Sequence, residues 1–320
     1  MTWPRARVKT GGSGHDDAVP ASEETTVAEV ARHTALVRSQ FDDVMQAGGH
    51  HPVARYDPAA HRHYVRRRAL LGALAPLRFD SVLDVGCAEG FFLDAVCSSF
   101  GVEGWGIDLS PRAARTVGQR YGYRSAAADG TRLPFDDGAF DLVYSTETIE
   151  HVVSAEGFLD ELKRVARRHV VVTTPASNAA APFVPDYELA DEGHIQQFTP
   201  ARMAEVAGDA RIGSFRNNTT YGIYKTVGRH LGARASRLFV GLDHLVSQRL
   251  GSASSRFWPL RNRDWLVVAD VRARTTSPRE WVCPSCHGAL SAQPAAFACR
   301  PCGLTFPVAD GVPDFFVQAS

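Results

Sequence analysis

Net charge is what this 320-residue sequence conspicuously lacks: 35 lysines and arginines offset 35 aspartates and glutamates. No global field therefore draws the chain onto nucleic acid or an anionic membrane. Equally absent is any apolar run near the roughly 18–20 residues that a bilayer-spanning helix needs. The N-terminus carries Asp16, Asp17, Glu23 and Glu24 and no apolar block of the kind a secretory leader has. The expectation is a cytoplasmic protein with no membrane partner. No internal repeat is present. Cysteine is scarce, six in all, and four stand between positions 283 and 302. In a reducing compartment, pairs of that kind are metal ligands more often than disulfides.

What is there divides along the chain. Residues 1–24 mix Gly, Ser, Pro, Asp and Ala without periodicity and read as a disordered tail. Apolar spacing predicts helices over residues 25–46 and 58–74, inside an N-terminal unit spanning residues 25–78. Short apolar runs then alternate with helical stretches. Strands are expected at 81–85, 104–107, 124–127, 140–145, 170–173, 211–215 and 264–272. Helices are expected near 91–99, 111–121, 155–166 and 200–207. Buried strands separated by helices mean parallel βαβ units, hence an α/β fold with a doubly wound, seven-stranded, mostly parallel sheet, here over residues 79–274. Residues 218–263 read as a helical insertion packing against the sheet edge, 275–280 as a linker, and 281–320 as a separate small module.

The segment Val82-Leu83-Asp84-Val85-Gly86-Cys87-Ala88-Glu89-Gly90 is a strand running into a turn of small residues. Small residues let the backbone bend sharply and let a ligand approach it, and the helix starting at Phe91 offers free N–H groups. Asp108 ends the next strand, where a carboxylate can accept both hydroxyls of a ribose. Asp129-Gly130 follows the third strand, and the fourth runs out to Thr146. Polar stations at the C-terminal ends of successive parallel strands are where such a sheet binds its ligand.

These motifs, VLDVGCAEG, GIDLS, AADGTRLPFDDGAFDLV and IEHV, resemble those of class I S-adenosylmethionine-dependent methyltransferases, particularly the small-molecule group that includes the ubiquinone-biosynthesis O-methyltransferases. The resemblance covers residues 80–272. It implies that Gly86, Cys87, Ala88 and Gly90 form the loop on the methionine side of the cofactor and that Asp84 supports that loop. It further implies that Asp108, followed by Leu109, holds the ribose, that Asp129 and Gly130 face the adenine, and that Thr146 lies beside the cofactor. S-adenosylhomocysteine is then the product. Ala88 departs from the family's usual glycine, and its methyl group is compatible with the turn where the local φ is negative. Cys87 and Cys97 read as packing residues.

A hydroxyl acceptor must lose its proton on methylation, which calls for a base near the cofactor mouth. Glu147 and His151 follow the fourth strand, and His194 stands in the long loop after the fifth; these three are the catalytic candidates. No Asn/Asp-Pro-Pro-aromatic motif follows the fourth strand, and by the family resemblance its absence implies that exocyclic amines of DNA bases are not the acceptor. His50, His51, His61, His63, Arg66, Arg67 and Arg68 read as a solvated polar face of the N-terminal helices. In this fold those helices often cover the acceptor pocket, which keeps Tyr56, His63 and Tyr64 as substrate contacts.

Cys283-x-x-Cys286, twelve residues, then Cys299-x-x-Cys302 has the spacing of two knuckles converging on one Zn2+, with Gly288 and Gly303 supplying the tight turns. So short a tail cannot build a sufficient core without metal. The run resembles the small zinc-ribbon proteins that partner and activate tRNA, rRNA and protein methyltransferases, fused here in cis. The expectation is an O-methyltransferase of a small-molecule acceptor, monomeric or homodimeric. The alternatives are an RNA or translation-factor methyltransferase, in which nucleic acid becomes the partner, and a non-catalytic cofactor-binding scaffold.

Overall fold

The computed structural model describes residues 27–49, 58–177, 193–216, 263–271 and 281–317. The expected disordered tail at 1–24, the expected linker at 275–280 and the expected helical insertion at 218–263, except for Arg263 in β7, lie outside the described residues, as does Tyr56. Two helices, α1 (Val27–Gln46) and α2 (Pro58–Leu74), precede β1 (Ser81–Val85), α3 (Phe91–Phe100), β2 (Glu103–Asp108), α4 (Pro111–Tyr121), β3 (Arg124–Ala127) and β4 (Phe140–Thr146). A 3-10 turn at Ile149–His151 leads to α5 (Ala155–Val165), β5 (Ala166–Pro175), α6 (Pro200–Ala207), β6 (Arg211–Arg216) and β7 (Arg263–Asp270). These are the elements expected from the apolar spacing, with β5 extending further in both directions.

The strands form one seven-stranded sheet in the order β3-β2-β1-β4-β5-β7-β6, with β7 antiparallel to both of its neighbours. Order reverses between β1, which leads outward to β2 and β3, and β4, which leads the other way. Ligands bind at such a switch, beyond the carboxyl ends of the strands. Helix starts are set locally. Ser110 caps α4, and its hydroxyl accepts the Ala113 N–H, while Ser154 and Thr199 cap α5 and α6 in the same way. Every residue of β4 is buried, as a central strand covered on both faces must be. Among the described residues, no helix is long and apolar enough to cross a membrane.

Four short antiparallel strands make a second sheet, β8 (Leu290–Gln293), β9 (Ala296–Cys299), β10 (Thr305–Ala309) and β11 (Val312–Pro313), in the order β11-β10-β9-β8. This module lies against the β3 edge. Phe315 N–H donates to the Ala127 carbonyl at 2.7 Å, and Val282 N–H to the Pro134 carbonyl at 2.9 Å. Between the two sheets runs a seam of rings: Trp281 meets Trp105 at 5.0 Å, Phe135 at 5.2 Å and Phe315 at 5.2 Å between centroids. Phe306 and Phe315 belong to the same buried cluster as Leu83, Val143 and Phe158 of the main sheet. The two sheets therefore share a core.

That shared core has a measurable consequence. Phe315 is 1% exposed, and truncating a buried phenylalanine costs about 3–5 kcal/mol. Phe315→Ala is expected to lower the urea midpoint of the whole protein, read by tryptophan fluorescence, with the main sheet and the small module losing stability together. Retention of the wild-type midpoint would show that the seam contributes nothing.

Candidate functional site

Backbone geometry at the end of β1 is what opens the site. Gly86 and Gly90 have φ of 80° and 82°, conformations that favour glycine. A Cβ on Gly86 would lie 2.1 Å from the Thr148 hydroxyl oxygen, so the close approach of two loops also demands glycine there. Ala88 has a φ of 45°. The condition under which its methyl group is comfortable, a negative φ, is not met, and the loop carries roughly 1–2 kcal/mol of left-handed strain at this residue.

Asp108, at the end of β2, holds that loop in place. One of its oxygens accepts the Ala88 N–H and the other the Ser110 N–H, each at 2.8 Å. Burial pushes its pKa up to about 6, against the pull of those N–H groups. Each oxygen keeps a lone pair, so the carboxylate can still receive two hydroxyls of a ligand. Asp129 is fixed by the Thr131 N–H and hydroxyl, both at 2.8 Å. The absence of a side chain at Gly130 makes room for Phe158, whose ring would be 2.5 Å from a Cβ. Asp84 lies behind the loop, fully buried, and its bond runs to the Tyr144 hydroxyl at 2.8 Å, while Oδ1 has no partner. Burial pushes its carboxyl up to about 8. Cys87 is buried, and burial raises its thiol well above the ordinary value, so it stays protonated.

These stations face a cavity of about 590 Å³. Gly86, Cys87, Ala88, Asp108, Leu109 and Asp129 line one part of it, with Gly130 and Thr146 beside them. Glu147, Glu150, His151 and His194 line the other. Asp84 and Gly90 support the loop from outside the lining. Helix α1 forms the roof, presenting Val30, Val37, Phe41, Val44 and Met45 to the cavity.

In the second part, His151 Nδ1 lies 3.1 Å from the Gly193 carbonyl. A carbonyl only accepts, so Nδ1 carries the proton, and in the neutral ring Nε2 is the acceptor nitrogen. The His194 ring packs edge-on to it at 4.8 Å between centroids, and Phe41 of α1 does so at 5.3 Å. Donor atoms of Glu150, His151 and His194 lie within 4.8 Å of one another. At that spacing the three can close on one divalent cation.

Arg66 is a correction to the expected solvated face. It is buried at 6% exposure, pairs with Glu147, and donates from Nε to Asp264 at 2.8 Å. Burial opposes its charge, but Glu147 and Asp264 raise its pKa further than burial lowers it. Its position could have been seen in the sequence, since Arg66 falls on the same helical stripe as the buried Leu70, Ala73 and Leu74. His63 also lines the cavity; the side chain of Tyr64 lies outside the described residues. Glu147 has a φ of 56°, and its carboxylate also accepts the Thr173 hydroxyl at 3.1 Å. The cluster thus sets Glu147, Glu150 and Asp264 around one arginine. Burial raises the pKa of Glu147 against the pull of Arg66, and pushes Glu150 up to about 7 although the Thr174 hydroxyl bonds it.

The four C-terminal cysteines converge. Sγ of Cys283 lies 3.6 Å from that of Cys302, and Sγ of Cys286 lies 3.4 Å from that of Cys299. These separations are far beyond a sulfur–sulfur bond. They approach the edge of about 3.8 Å that a tetrahedron with metal–sulfur bonds of about 2.3 Å would have. The knuckles are equivalent: His287 N–H donates to the Cys283 carbonyl and Gly303 N–H to the Cys299 carbonyl. One expectation is corrected here. The left-handed residue of the first knuckle is His287, at a φ of 51°; Gly288 serves space instead, since a Cβ there would lie 2.6 Å from Pro301.

Residues 83–173 match a protein-family model described as a methyltransferase domain. Tocopherol O-methyltransferase of Arabidopsis thaliana is 38% identical over 114 residues, 32% of this chain and 33% of that protein. Norajmaline N-methyltransferase of Rauvolfia serpentina is 37% identical over 93 residues, 27% of this chain and 32% of that protein. The chain thus spans about a third of the curated relatives it matches. Two solved structures share the fold. Geranyl diphosphate C-methyltransferase from Streptomyces coelicolor A3(2) has a TM-score of 0.51 at 18% identity, covering 74% of this chain and 98% of that one. The [4+2]-cyclase SpnF has a TM-score of 0.50 at 16% identity, covering 74% and 96%.

The raised carboxyls of Asp84, Asp108 and Glu150 fix the sign of a pH effect. In the unfolded chain they lose their protons near the ordinary pH of about 4, whereas the folded chain keeps them up to about 6 to 8. Between those limits the native state binds more protons, so stability falls as pH rises. The ligand-free protein is expected to melt several degrees lower at pH 8 than at pH 5.5, and Glu150→Gln to flatten part of that slope in calorimetric scans. A melting temperature that rises over this range would contradict the burial of these groups.

Proposed function

We propose that this protein is an S-adenosylmethionine-dependent methyltransferase that methylates a small-molecule acceptor on oxygen. The observation that carries the reading is Asp108: a half-buried carboxylate that pins the glycine-turned loop and opens onto the same cavity as Glu150, His151 and His194. S-adenosylmethionine supplies an electrophilic methyl group on a sulfonium and leaves as S-adenosylhomocysteine.

Asp108 receives the ribose hydroxyls, the Gly86–Ala88 backbone accommodates the methionine end, and Asp129 with Leu109 flanks the adenine. Thr146 lies between the two parts of the cavity. His151 Nε2 takes the proton of the acceptor hydroxyl as the new carbon–oxygen bond forms. The proton held by Nδ1 on the Gly193 carbonyl keeps the ring in the orientation and tautomer for this step. His194 sits where it can share the charge that develops on His151. Glu147 is bound to Arg66 and Thr173 and positions the floor of the site; that role replaces the one of base. The α1 roof and the apolar lining exclude water from the reacting atoms and hold the acceptor in line with the departing sulfur.

A cavity roofed by a helix and lined by valine, phenylalanine and methionine suits a small apolar acceptor better than an RNA strand, which needs basic, open surface. The tocopherol and norajmaline enzymes, acting on oxygen and nitrogen, fit a small-molecule acceptor of either kind; the base beside the cavity favours oxygen. Cys283, Cys286, Cys299 and Cys302 form the proposed zinc site, whose contribution is the folding of the small module.

Isothermal calorimetry with S-adenosylhomocysteine tests the cofactor reading, with binding expected in the wild type and lost in Asp108→Ala. For His151→Ala, turnover with a panel of apolar phenols is expected to fall roughly a hundredfold, with affinity for S-adenosylhomocysteine nearly unchanged. His194→Ala is expected to lose less. Wild-type turnover in both variants would remove the base, and absence of binding heat in the wild type would remove the function.

A further inference from the structure

Helix α1 is an unusual roof because little of it is held by a core. Among its described apolar side chains, only Val37 is buried, Ala28, Ala35 and Leu36 are exposed, and Val30, Phe41, Val44 and Met45 line the cavity together with Val37. Before ligand fills that space, apolar packing gives the helix little to rest on, and its position depends on polar ties. Three such ties stand out. His33 Nε2 donates to the His151 carbonyl at 3.1 Å. Asp42 accepts the Ser110 hydroxyl at 2.7 Å and the Arg112 Nε at 2.6 Å. Arg38 reaches across to the C-terminal module, where its two terminal nitrogens meet the two oxygens of Asp314 at 3.1 Å and 2.5 Å.

The third tie is the most constrained. A planar guanidinium on a carboxylate with two parallel bonds is the strongest geometry for such a pair, and the Arg38 guanidinium also lies 4.6 Å over the Phe316 ring. Asp314 has little freedom. Its N–H donates to the Pro307 carbonyl, its side chain accepts the Phe316 N–H at 3.2 Å, and the next residue, Phe315, is buried in the ring seam and bonded to Ala127. Pro307 lies in β10, paired to β9, whose last residue is Cys299. A continuous run of bonds therefore connects the four-cysteine site to the roof of the cavity.

We infer that Arg38 and Asp314 are positioning residues through which the C-terminal module holds α1 over the ligand cavity, so that metal at the four cysteines strengthens ligand binding. The ligand's identity rests on the proposed function; the roof's attachment does not. The pair touches neither ligand nor reacting atoms and acts only by keeping α1 docked. A bidentate, partly buried pair with a ring beneath it is worth about five- to thirtyfold in the equilibrium between docked and open roof.

Hydrogen exchange on the full-length, zinc-loaded protein reads that equilibrium without any ligand. Asp314→Asn keeps the acceptor for the Phe316 N–H, and Arg38→Lys keeps a charge while losing the fork. Each is expected to speed exchange across residues 27–46 by about five- to thirtyfold and leave β1, β4 and β5 as protected as before. The swap of both residues, Arg38→Asp with Asp314→Arg, is expected to restore much of the protection. Stripping the metal with a chelator should speed exchange in α1 at least as much as Asp314→Asn does. In calorimetry, the single variants should weaken S-adenosylhomocysteine by a similar factor, with KM for the cofactor raised more than kcat is lowered. Unchanged α1 exchange in both single variants, or full α1 protection after the metal is removed, would overturn the inference. Loss of wild-type affinity for S-adenosylhomocysteine would instead strike the proposed function and leave the exchange result standing.

Discussion

One carboxylate organises the ligand-binding end of this molecule. Asp108 stands at the tip of β2 with each oxygen on a different backbone N–H, one from the turn after β1 and one from the start of α4. The first contains Ala88 in a left-handed conformation, and in the second the Ser110 hydroxyl accepts the Ala113 N–H while donating to Asp42 of α1. A single half-buried acid thus couples loop, helix start and, through Ser110 and Asp42, the roof. It is raised toward neutrality by burial, and the hydroxyls of a ligand would offset part of that desolvation.

The opposite end of the cavity uses the reverse arrangement, one cation among several acids. Arg66 bonds Glu147 and Asp264, and Glu150 stands nearby. Removing the arginine would leave the carboxylates without a counter-charge, which costs far more than the pair itself contributes. Such a cluster is weak evidence for stability but strong evidence for a fixed arrangement. It anchors α2 from the N-terminal region to β7 from the far end of the sheet, and it sets the strained exit of β4 that aims the turn carrying His151.

The parts of this structure that were legible in the sequence are those written in local spacing. The β1 turn, Asp108, Asp129-Gly130 and the two CxxC pairs each lie within a few residues of the element that orients them, and periodicity of two or 3.6 placed most strands and helices to within a few residues. What was hidden depends on distant partners. Arg66 and Asp264 are 198 positions apart, so a charged helix face looked solvated when one residue of it was buried. Likewise, nothing near Ala88 announces that it joins Gly86 and Gly90 in left-handed backbone, or near His287 that it does so in place of Gly288. The roof was read only as a cover, because Arg38 and Asp314 are 276 positions apart.

The contact between Phe315 and Ala127 bears on how the protein behaves in company. β3 is the outermost strand on its side of the main sheet, and an uncovered outermost strand offers a row of unused donors and acceptors to any neighbouring chain. Here the last residue of that strand is met by the protein's own C-terminal segment, through a bridge from Asp314 and the Phe315 N–H. The segment therefore caps this end of the open edge. A copy that lost it would expose tryptophan and phenylalanine rings together with an open strand, the two ingredients from which aggregates grow.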